Sequence, residues 1–564
     1  MKLFLFSLLS INVALGSAGL TNLRLKQTFV SNSKCSVADK QDCGYYGIKQ
    51  NGCEAKGCCW DPNQPSTEPW CYYGNKGPSP GPSPTPGPSP TPGPSPTPGP
   101  SPGSAPFSDS EMTMIQGYFE DNLNVDNTGA VMASPSTTMP NYFFHWQRDG
   151  AISMSKLFDY KSPAEYETLL ESYKNWVHSA QFASDPNGED IRGEPKFYIP
   201  NGTCYDKGWM RPQNDGMALR TVTLLLWAKG LLAAGKEDYV KSNIYTMDPN
   251  EPGVKHDLEY IQQIWSNDSG DPWEEIKAQV FFVKMTMRRA LYLGAQIATA
   301  LGDNGAAQSY SSTAKQIEDD INNKHWNSQT GVVMEIPQQR ELDSAMHLAV
   351  LYGNNGDGFY SPSYERVQSS VAVLIDTFSS SKYPDFSINA KDDQLGLPGI
   401  LVGRYPNDVY NGGNTSQPSS GNPWILCSSS LAEIFYRAAA EHIADGATSF
   451  KITKTNRRFL EIAVQYGSFL LNQTVADALN KGIASGNGLE EYLFRSMMRA
   501  LAATGDGILL RVRHHVAPYN FHLSEQINKD DGLTQGARDL TWSYGTVIGA
   551  MKARSDLYAS ANWL

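Results

Sequence analysis

Hydrophobic residues recur at three- and four-residue spacing through most of the chain beyond residue 107, which is the period of an α-helix with one buried face. The segment 162–183 shows this spacing after a serine and a proline, the residue types that begin helices. Residues 215–235 have the pattern of a buried helix ended by glycine. The same template predicts further helices over 274–302, 304–324, 364–378, 422–443, 489–505 and 534–554. Strand-like alternation is sparse, so we predict a mainly α fold of about a dozen helices.

The N-terminus has the pattern of a secretory signal peptide. Met1 and Lys2 precede an apolar stretch that small residues follow, so we assign the signal to residues 1–18. A buried N-terminal helix is the alternative. Four N-x-S/T sequons agree with export and are candidate glycosylation sites: Asn201, Asn267, Asn414 and Asn472. We therefore expect a secreted, extracellular glycoprotein.

Six of the 8 cysteines lie between Cys35 and Cys71. In an exported chain this density indicates a disulfide scaffold, because so short a segment cannot bury enough apolar surface without cross-links. Spacing alone does not decide the connectivity. A zinc site fits poorly, since two of the cysteines are adjacent and the segment has no histidine. The remaining Cys204 and Cys427 could pair with each other or stay as buried thiols.

Residues 77–106 alternate proline with glycine, serine and threonine. Proline fixes φ and removes backbone donors, so this segment forms no packed core and serves as an extended linker to the large domain over 107–564. The formal net charge is −12 without blocks of lysine or arginine, which argues against a nucleic-acid partner. Beyond the N-terminus no apolar run has the length of a membrane span, so we expect no membrane partner.

Long loops between the predicted helices concentrate acids, arginines and aromatic residues. The chain has no G-x-S-x-G, H-E-x-x-H, P-loop or dinucleotide fingerprint, so we expect no cofactor and no metal. Paired carboxylates are what glycoside hydrolysis needs: one protonates the leaving oxygen, and the other activates water or attacks. Each acid alone has a structural alternative, because an acid near a helix start complements the helix dipole.

The cysteine-rich segment resembles a trefoil (P-type) domain, which we place at 33–76. Its DCG, the GI before the third cysteine, GCCW and PWCY carry the resemblance. The resemblance implies the disulfides Cys35–Cys59, Cys43–Cys58 and Cys53–Cys71. Trefoil modules accompany catalytic domains in some secreted α-glucosidases. This one could bind carbohydrate through Trp60 and Trp70, which we favour, or act as a stable spacer.

The loops of 107–564 resemble those of fungal-type glucoamylases of glycoside hydrolase family 15. The segments that carry this are YFFHWQRD, GWMRPQNDG, DPWEE, VGRYPNDVYNG and SEQ-x-x-K-x-D-G…ARDLTWSY, in the order of the family. The resemblance implies a barrel of six α/α hairpins. It also implies an inverting, exo-acting glucan 1,4-α-glucosidase that releases β-D-glucose from the non-reducing ends of starch, glycogen and maltooligosaccharides. We expect this enzyme to be a monomer.

Carried over by position, the resemblance makes Glu274 the general acid and Glu525 the general base. Inversion needs room for water, so their carboxyl groups should lie about 6.5–9.5 Å apart. The resemblance assigns sugar-binding or supporting positions to Tyr142, Trp146, Arg148, Asp149, Trp209, Asp271, Glu275, Arg404, Asp408, Trp424 and Trp542. Departures from the family pattern, which bear on subsite preference rather than on the reaction, occur at Met210, Asn214 and Pro272.

Two other functions remain open at this point. A hydrolase on the same scaffold could keep both acids and act on another α-glucoside, such as isomaltose, dextran or trehalose. A non-catalytic secreted protein could bind carbohydrate through the trefoil segment beside an inactive barrel, although the presence of both carboxylates disfavours this. Comparing glucose release from starch, maltose, isomaltose and trehalose distinguishes the first alternative from a glucan 1,4-α-glucosidase. Activity of the fragment 107–564 alone excludes the second.

Overall fold

A computed structural model describes residues 35, 50–55, 58–61, 71–72, 104–138, 140–413, 420–486 and 488–564. The chain divides into two compact units, residues 1–92 and 93–564. The predicted signal peptide, most of the linker, Cys43, Trp70 and Asn414 lie outside the described residues, so the expectations for them stay predictions.

The described part of the first unit is small and cross-linked. It contains α1 (Gln50–Ala55) and an antiparallel pair of strands, β1 (Cys59–Trp60) and β2 (Cys71–Tyr72). Two of the implied disulfides are present, Cys35–Cys59 and Cys53–Cys71. Cys58 is also disulfide-bonded, and its expected partner falls outside the described residues.

The second unit is helical, as the sequence pattern predicts. Its helices are α2 (Asp109–Glu120), α3 (Gln147–Tyr160), α4 (Pro163–Gln181), α5 (Asn214–Ala233), α6 (Glu237–Val240), α7 (Val254–Ile264), α8 (Phe281–Ala300), α9 (Asn304–Lys324), α10 (Ala345–Gly353), α11 (Glu365–Phe378), α12 (Ser387–Gln394), α13 (Ile425–Asp445), α14 (Arg457–Gly467), α15 (Gln473–Ser485), α16 (Glu491–Val516) and α17 (Thr541–Ser560). Short antiparallel pairs join β3 (Phe144–Trp146) to β4 (Lys196–Tyr198), β5 (Ser269–Gly270) to β6 (Lys277–Ala278), β7 (Trp326–Asn327) to β8 (Val332–Val333), and β9 (Gln526–Ile527) to β10 (Thr534–Gln535).

Six of these helices form a closed inner ring. In order around the ring they are α3, α5, α8, α10, α13 and α17, and α17 packs back against α3. Along the chain they alternate with outer helices, chiefly α2, α4, α7, α9, α11 and α16, which pack around them. The architecture is therefore a barrel of six α/α hairpins, as the resemblance implied.

The ring helices are buried over most of their length because they have neighbours on nearly every side. Helix α5 is the extreme case: by length and composition it could cross a membrane, yet 72% of its most apolar window is buried inside the protein. Its composition follows from its place in the ring. In the described residues no other helix passes the same test.

Most predicted helices are present, and the largest errors lie at helix ends. Helix α4 begins as predicted, with a capping box between Ser162 and Glu165. The helix predicted over 489–505 instead continues to Val516. Gly505 does not cap it, because this glycine packs against the ring of Tyr436, where a Cβ would be within 2.7 Å. The helices predicted over 274–302 and 534–554 begin only at α8 and α17, after loops described below.

Candidate active site

The N-terminal ends of ring helices α3 and α17, with the loops before α3, α5, α8, α13 and α17, surround a cavity of about 360 Å³. Partial positive charge at these helix ends favours acidic groups there. The lining contains most of the residues that the resemblance assigned: Tyr142, Trp146, Arg148, Asp149, Trp209, Glu274, Glu275, Arg404, Trp424, Glu525 and Trp542. Asp271 and Asp408 lie behind this lining, where each holds an arginine.

The candidate acid Glu274 stands on the tip of a β-hairpin. Strands β5 and β6 pair on either side of residues 271–276. The Asp271 carboxylate accepts the backbone N–H groups of Glu275 and Ile276, both at 2.7 Å, and its carbonyl accepts that of Glu274 at 2.9 Å. These bonds close the loop on itself, which explains why the helix predicted from Glu274 begins only at Phe281.

Glu274 itself has a left-handed backbone with φ of 65°. This conformation costs a non-glycine residue about 1–2 kcal/mol, so the surrounding hydrogen bonds must enforce it. Its Oε1 accepts hydrogen bonds from Trp146 Nε1 at 2.8 Å and from Gln213 Nε2 at 3.0 Å. An Arg148 nitrogen lies 3.6 Å away. The carboxyl group is therefore held on one oxygen.

The candidate base Glu525 precedes β9, and its backbone N–H donates to Ala537 at 2.8 Å. Its carboxylate accepts hydrogen bonds from Tyr142 at 3.0 Å and Tyr410 at 3.3 Å. Burial raises the pKa of Glu525 to about 7, against the opposing effect of these two hydroxyls and of Arg404. Only 1% of the residue is exposed.

Arg148 and Asp149, in the first turn of α3, offer polar atoms to the cavity. Arg148 donates to Gln213 at 3.0 Å and to Asp215 at 3.1 Å. Arg148 Nε and Asp149 Oδ2 are buried and form an ion pair at 3.5 Å, but neither atom has a hydrogen-bond partner among the described residues. Burial also raises the pKa of Asp149 to about 6. A buried donor beside a buried acceptor is suited to a ligand hydroxyl, which both donates and accepts.

Arg404 is the centre of an ion-pair network on the other wall. It binds the Asp408 carboxylate through two bonds, at 2.8 and 2.6 Å, and Glu275 at 2.7 Å. Arg340 also binds Glu275, at 2.7 Å, and contacts Asp271. Asp271 and Asp408 therefore act by fixing neighbours, and no contact with a ligand follows from their positions.

Aromatic side chains form a gradient of exposure along the cavity. Trp542 is 3% exposed and Trp424 6%, whereas Trp209 is 36% exposed. Trp273 lies between the two buried indoles, with its ring centre 6.2 Å from Trp542 and 5.6 Å from Trp424. The cavity thus has a buried end and a solvent-facing rim.

Some residues of the site were missed by sequence reasoning. Gln213 and Tyr410 lie inside the quoted motifs GWMRPQNDG and VGRYPNDVYNG, so their motif membership was the available signal. Arg340 and Lys196 belong to none of the quoted motifs. Their roles follow only from side-chain contacts.

The remaining candidate residues lie elsewhere. Cys204 and Cys427 are both free and buried, so they do not pair with each other. Cys204, Asp185 and Glu194 bring possible metal-binding atoms within 4.8 Å of one another, but Glu194 is already ion-paired with Arg211. The described sequon asparagines are all exposed: Asn201, Asn267 and Asn472.

Comparison with known proteins relates both units to established families. The model of "Glycosyl hydrolases family 15" matches residues 117–552, and that of "Trefoil (P-type) domain" matches residues 33–74. Glucoamylase from Blastobotrys adeninivorans is 31% identical over 476 residues, covering 81% of this chain and 73% of the relative. Glucoamylase 1 from Rhizopus oryzae is 33% identical over 440 residues, covering 76% of this chain and 67% of the relative.

Solved structures give the same result for the fold. Glucoamylase from Saccharomycopsis fibuligera matches with a TM-score of 0.69 and 27% identity, covering 80% of this chain and 96% of that one. A glycoside hydrolase family 15 glucoamylase from Hypocrea jecorina matches with a TM-score of 0.67 and 27% identity, covering 79% of this chain and 72% of that one.

Proposed function

Because the chain belongs to glycosyl hydrolase family 15, we infer that it is an exo-acting glucan 1,4-α-glucosidase. It removes terminal glucose from the non-reducing ends of starch, glycogen and maltooligosaccharides. The observation that carries this inference is one cavity lined by two glutamates, Glu274 and Glu525, together with the buried ion pair of Arg148 and Asp149. Glycoside hydrolysis requires two such carboxyl groups, one on each side of the bond that breaks.

Glu274 acts as the general acid in this proposal. It would donate its proton to the glycosidic oxygen as the bond to the anomeric carbon breaks. Trp146 and Gln213 hold one carboxyl oxygen, which leaves the other for the substrate. A carboxyl group held on one oxygen presents its proton in a fixed direction. Less entropy is therefore lost when the group is oriented for proton transfer.

Glu525 acts as the general base, taking a proton from the water that attacks the anomeric carbon from the opposite face. The hydroxyls of Tyr142 and Tyr410 stabilise its carboxylate, and a bound water would add a further donor. In this mechanism the product is β-D-glucose. The spacing of about 6.5–9.5 Å between the two carboxyl groups remains a prediction.

Arg148 and Asp149 would bind hydroxyls of the terminal glucose at the buried end of the cavity, beside Trp542. Trp542 is 3% exposed and Trp209 36% exposed, so we propose that only a chain terminus enters the buried end and that the rest of the glucan extends past Trp209 at the rim. This accounts for exo action. Arg404 would lie near the scissile bond, fixed there by Asp408.

The test follows glucose released from maltotriose by NMR. The wild-type protein should give the β-anomer first, and Glu274→Gln should reduce turnover by at least a thousandfold while still binding maltotriose. Loss of the general acid removes only the proton donor, because glutamine keeps the shape of the side chain. An α-anomer would contradict inversion. Normal turnover by Glu274→Gln would contradict the assigned acid.

Specificity for the α-1,4 bond is tested with the same protein. We expect faster release of glucose from maltose and starch than from isomaltose or trehalose. The opposite order would favour another α-glucoside as substrate.

We also propose that the protein is a secreted monomer. The signal-like N-terminus, the disulfides and the exposed sequons support secretion. Recovery of the protein from the culture medium tests secretion, and sedimentation of that protein tests whether it is a monomer.

A further inference from the structure

Lys196 is a buried lysine enclosed by aromatic rings beside the cavity. It lies in β4, directly opposite Trp146 of β3, and only 2% of it is exposed. Its Nζ is 3.8 Å from the ring centre of Trp209 and 4.3 Å from that of Trp146. It is also 4.1 Å from Phe144 and 4.2 Å from Tyr205. All four separations are well inside the range of about 6 Å for a cation–π interaction.

The carboxylates near this lysine are engaged with arginines. Glu194 is paired with Arg211, and Glu274 has Arg148 at 3.6 Å. Burial lowers the pKa of Lys196 to about 8, with attraction from Glu274 and Glu194 opposed by repulsion from Arg211 and Lys207. The ammonium group therefore stays charged at neutral pH and is held largely by the faces of the rings.

Two of the four rings belong to the proposed catalytic cavity. Trp146 donates its indole N–H to Glu274, and Trp209 forms the exposed rim. The ring centres of these two indoles lie 6.0 Å apart, with Lys196 in contact with both. A shift of either indole would therefore alter the hydrogen bond to the acid or the wall beside the leaving sugar.

We propose that Lys196 is a positioning residue for the proposed acid: its ammonium holds the indoles of Trp146 and Trp209, so that Trp146 keeps Glu274 oriented for proton transfer. This role rests on the function proposed above. Lys196 reaches the reaction through Trp146, and it needs no contact with the substrate.

The test is the substitution Lys196→Met, which removes the charge and keeps a long, unbranched side chain. We expect kcat on maltotriose to fall roughly tenfold or more, with a smaller change in KM, because about 1.4 kcal/mol of transition-state stabilisation corresponds to a factor of ten. Lys196→Arg keeps the charge and should restore most of kcat.

The matched control is Lys207→Met, which removes an exposed positive charge from the same region. It should leave kcat unchanged. A double-mutant cycle with Trp146→Phe supplies the second readout. Lys196→Met should have little further effect on kcat once the indole N–H is absent, because both substitutions act on one hydrogen bond. Full additivity would overturn the positioning role.

Folding is checked by far-UV circular dichroism and the melting temperature, and Lys196→Gln replaces Lys196→Met if the latter does not fold. The proposal is also overturned if the folded variant keeps the kcat of Lys207→Met. Wild-type protein that releases no glucose would instead contradict the proposed function. The near-UV signal of the indoles then still tests the ring contacts, since it should change in the Lys196 variant and not in the Lys207 variant.

Discussion

At the scale of single residues, the two glutamates of the site differ in their surroundings. Glu525 is 1% exposed and faces two phenol hydroxyls, whereas the Glu274 side chain is 16% exposed and accepts from an indole and an amide. Burial raises the pKa of Glu525, while the two phenol hydroxyls lower it and so favour the ionised form in which a base works. The packing around Glu525 therefore decides how much of the proposed base is ionised at a given pH.

Removing one hydroxyl from the base should move the acidic limb of the pH profile. In Tyr142→Phe the Glu525 carboxylate loses the donor at 3.0 Å, so its pKa rises further. Since the base works only when ionised, the acidic limb of kcat/KM should shift to higher pH. Activity profiles on maltotriose measure this. Tyr492→Phe, at a tyrosine that is 57% exposed on α16, is the control, and equal profiles for both variants would contradict the prediction.

The buried base should also make stability depend on pH. The pKa of Glu525 rises from 4.5 to about 7 on folding, so between these values the folded chain binds more protons than the unfolded chain. The contribution of this group to the free energy of unfolding therefore falls as pH rises, by roughly 3 kcal/mol across the window. Glu525→Gln should lose this dependence.

Urea denaturation at pH 4.5 and at pH 7.5 measures how the free energy of unfolding changes with pH. These two pH values lie near the unfolded and folded pKa of Glu525. The stability of Glu525→Gln relative to wild type should be greater at the higher pH. Glu237→Gln, at an exposed position on α6, should show the same pH dependence as wild type. A parallel pair of curves for wild type and Glu525→Gln would contradict a raised pKa.

The residues within the motifs could be predicted from the sequence, but the residues that hold them in position could not. Arg148, Glu274 and Glu525 lie in segments whose residue types and order carry the resemblance, and the structure brings all three to one cavity. Lys196 and Arg340 act through side-chain contacts between segments that are distant in the sequence. Neither hydrophobic periodicity nor motif spacing predicts such contacts. Asp271 was grouped with groups near the sugar, and only the hydrogen bonds reveal that it closes the acid loop.

At the scale of elements, the reactive groups stand on short hairpins and loops before the ring helices. Residues 274–280 carry helical spacing, yet the side chain of Asp271 captures two backbone N–H groups and the chain pairs as β5 and β6. Residues 534–540 were also predicted as helix, but they form β10 and the loop that leads into α17. Periodicity identifies the ring helices well, but capture of the backbone by a side chain decides where they begin.

Gly536 illustrates how closely the base loop is packed. Its φ is 77°, and a Cβ at this position would overlap with the carboxylate of Glu525. Gly536→Ala should therefore displace the base and reduce kcat on maltotriose more than tenfold, in addition to a backbone cost of about 1–2 kcal/mol. The control is Gly356→Ala, which has a similar φ of 73° and open space around it. Equal kcat values for the two variants would contradict this.

At the scale of the whole molecule, the proposed chemistry belongs to the second unit alone. Both candidate carboxylates and the cavity lie within residues 107–564, and its two free cysteines form no cross-link with each other. A fragment of residues 107–564 should therefore keep kcat and KM on maltotriose within about twofold of the full chain, because no cavity-lining residue is lost. Purified fragment and full chain, compared at equal concentration, provide the measurement.

A fragment that folds but loses most of its activity would contradict this independence and would give the trefoil unit a part in turnover. Insoluble starch is a separate substrate for the same comparison. If the trefoil unit binds carbohydrate, as its likeness to other modules suggests, the full chain should adsorb to starch granules more strongly than the fragment. Equal adsorption would support a role as spacer.

Closure of the inner ring has a consequence for synthesis. Tyr142, near the start of the barrel, meets Glu525 near its end, and α17 seals the ring against α3. The ribosome has therefore made all six ring helices before acid, base and sugar-binding groups can come together. A chain that ends before α17 should release no glucose from maltotriose, so activity begins only when synthesis of the ring is finished.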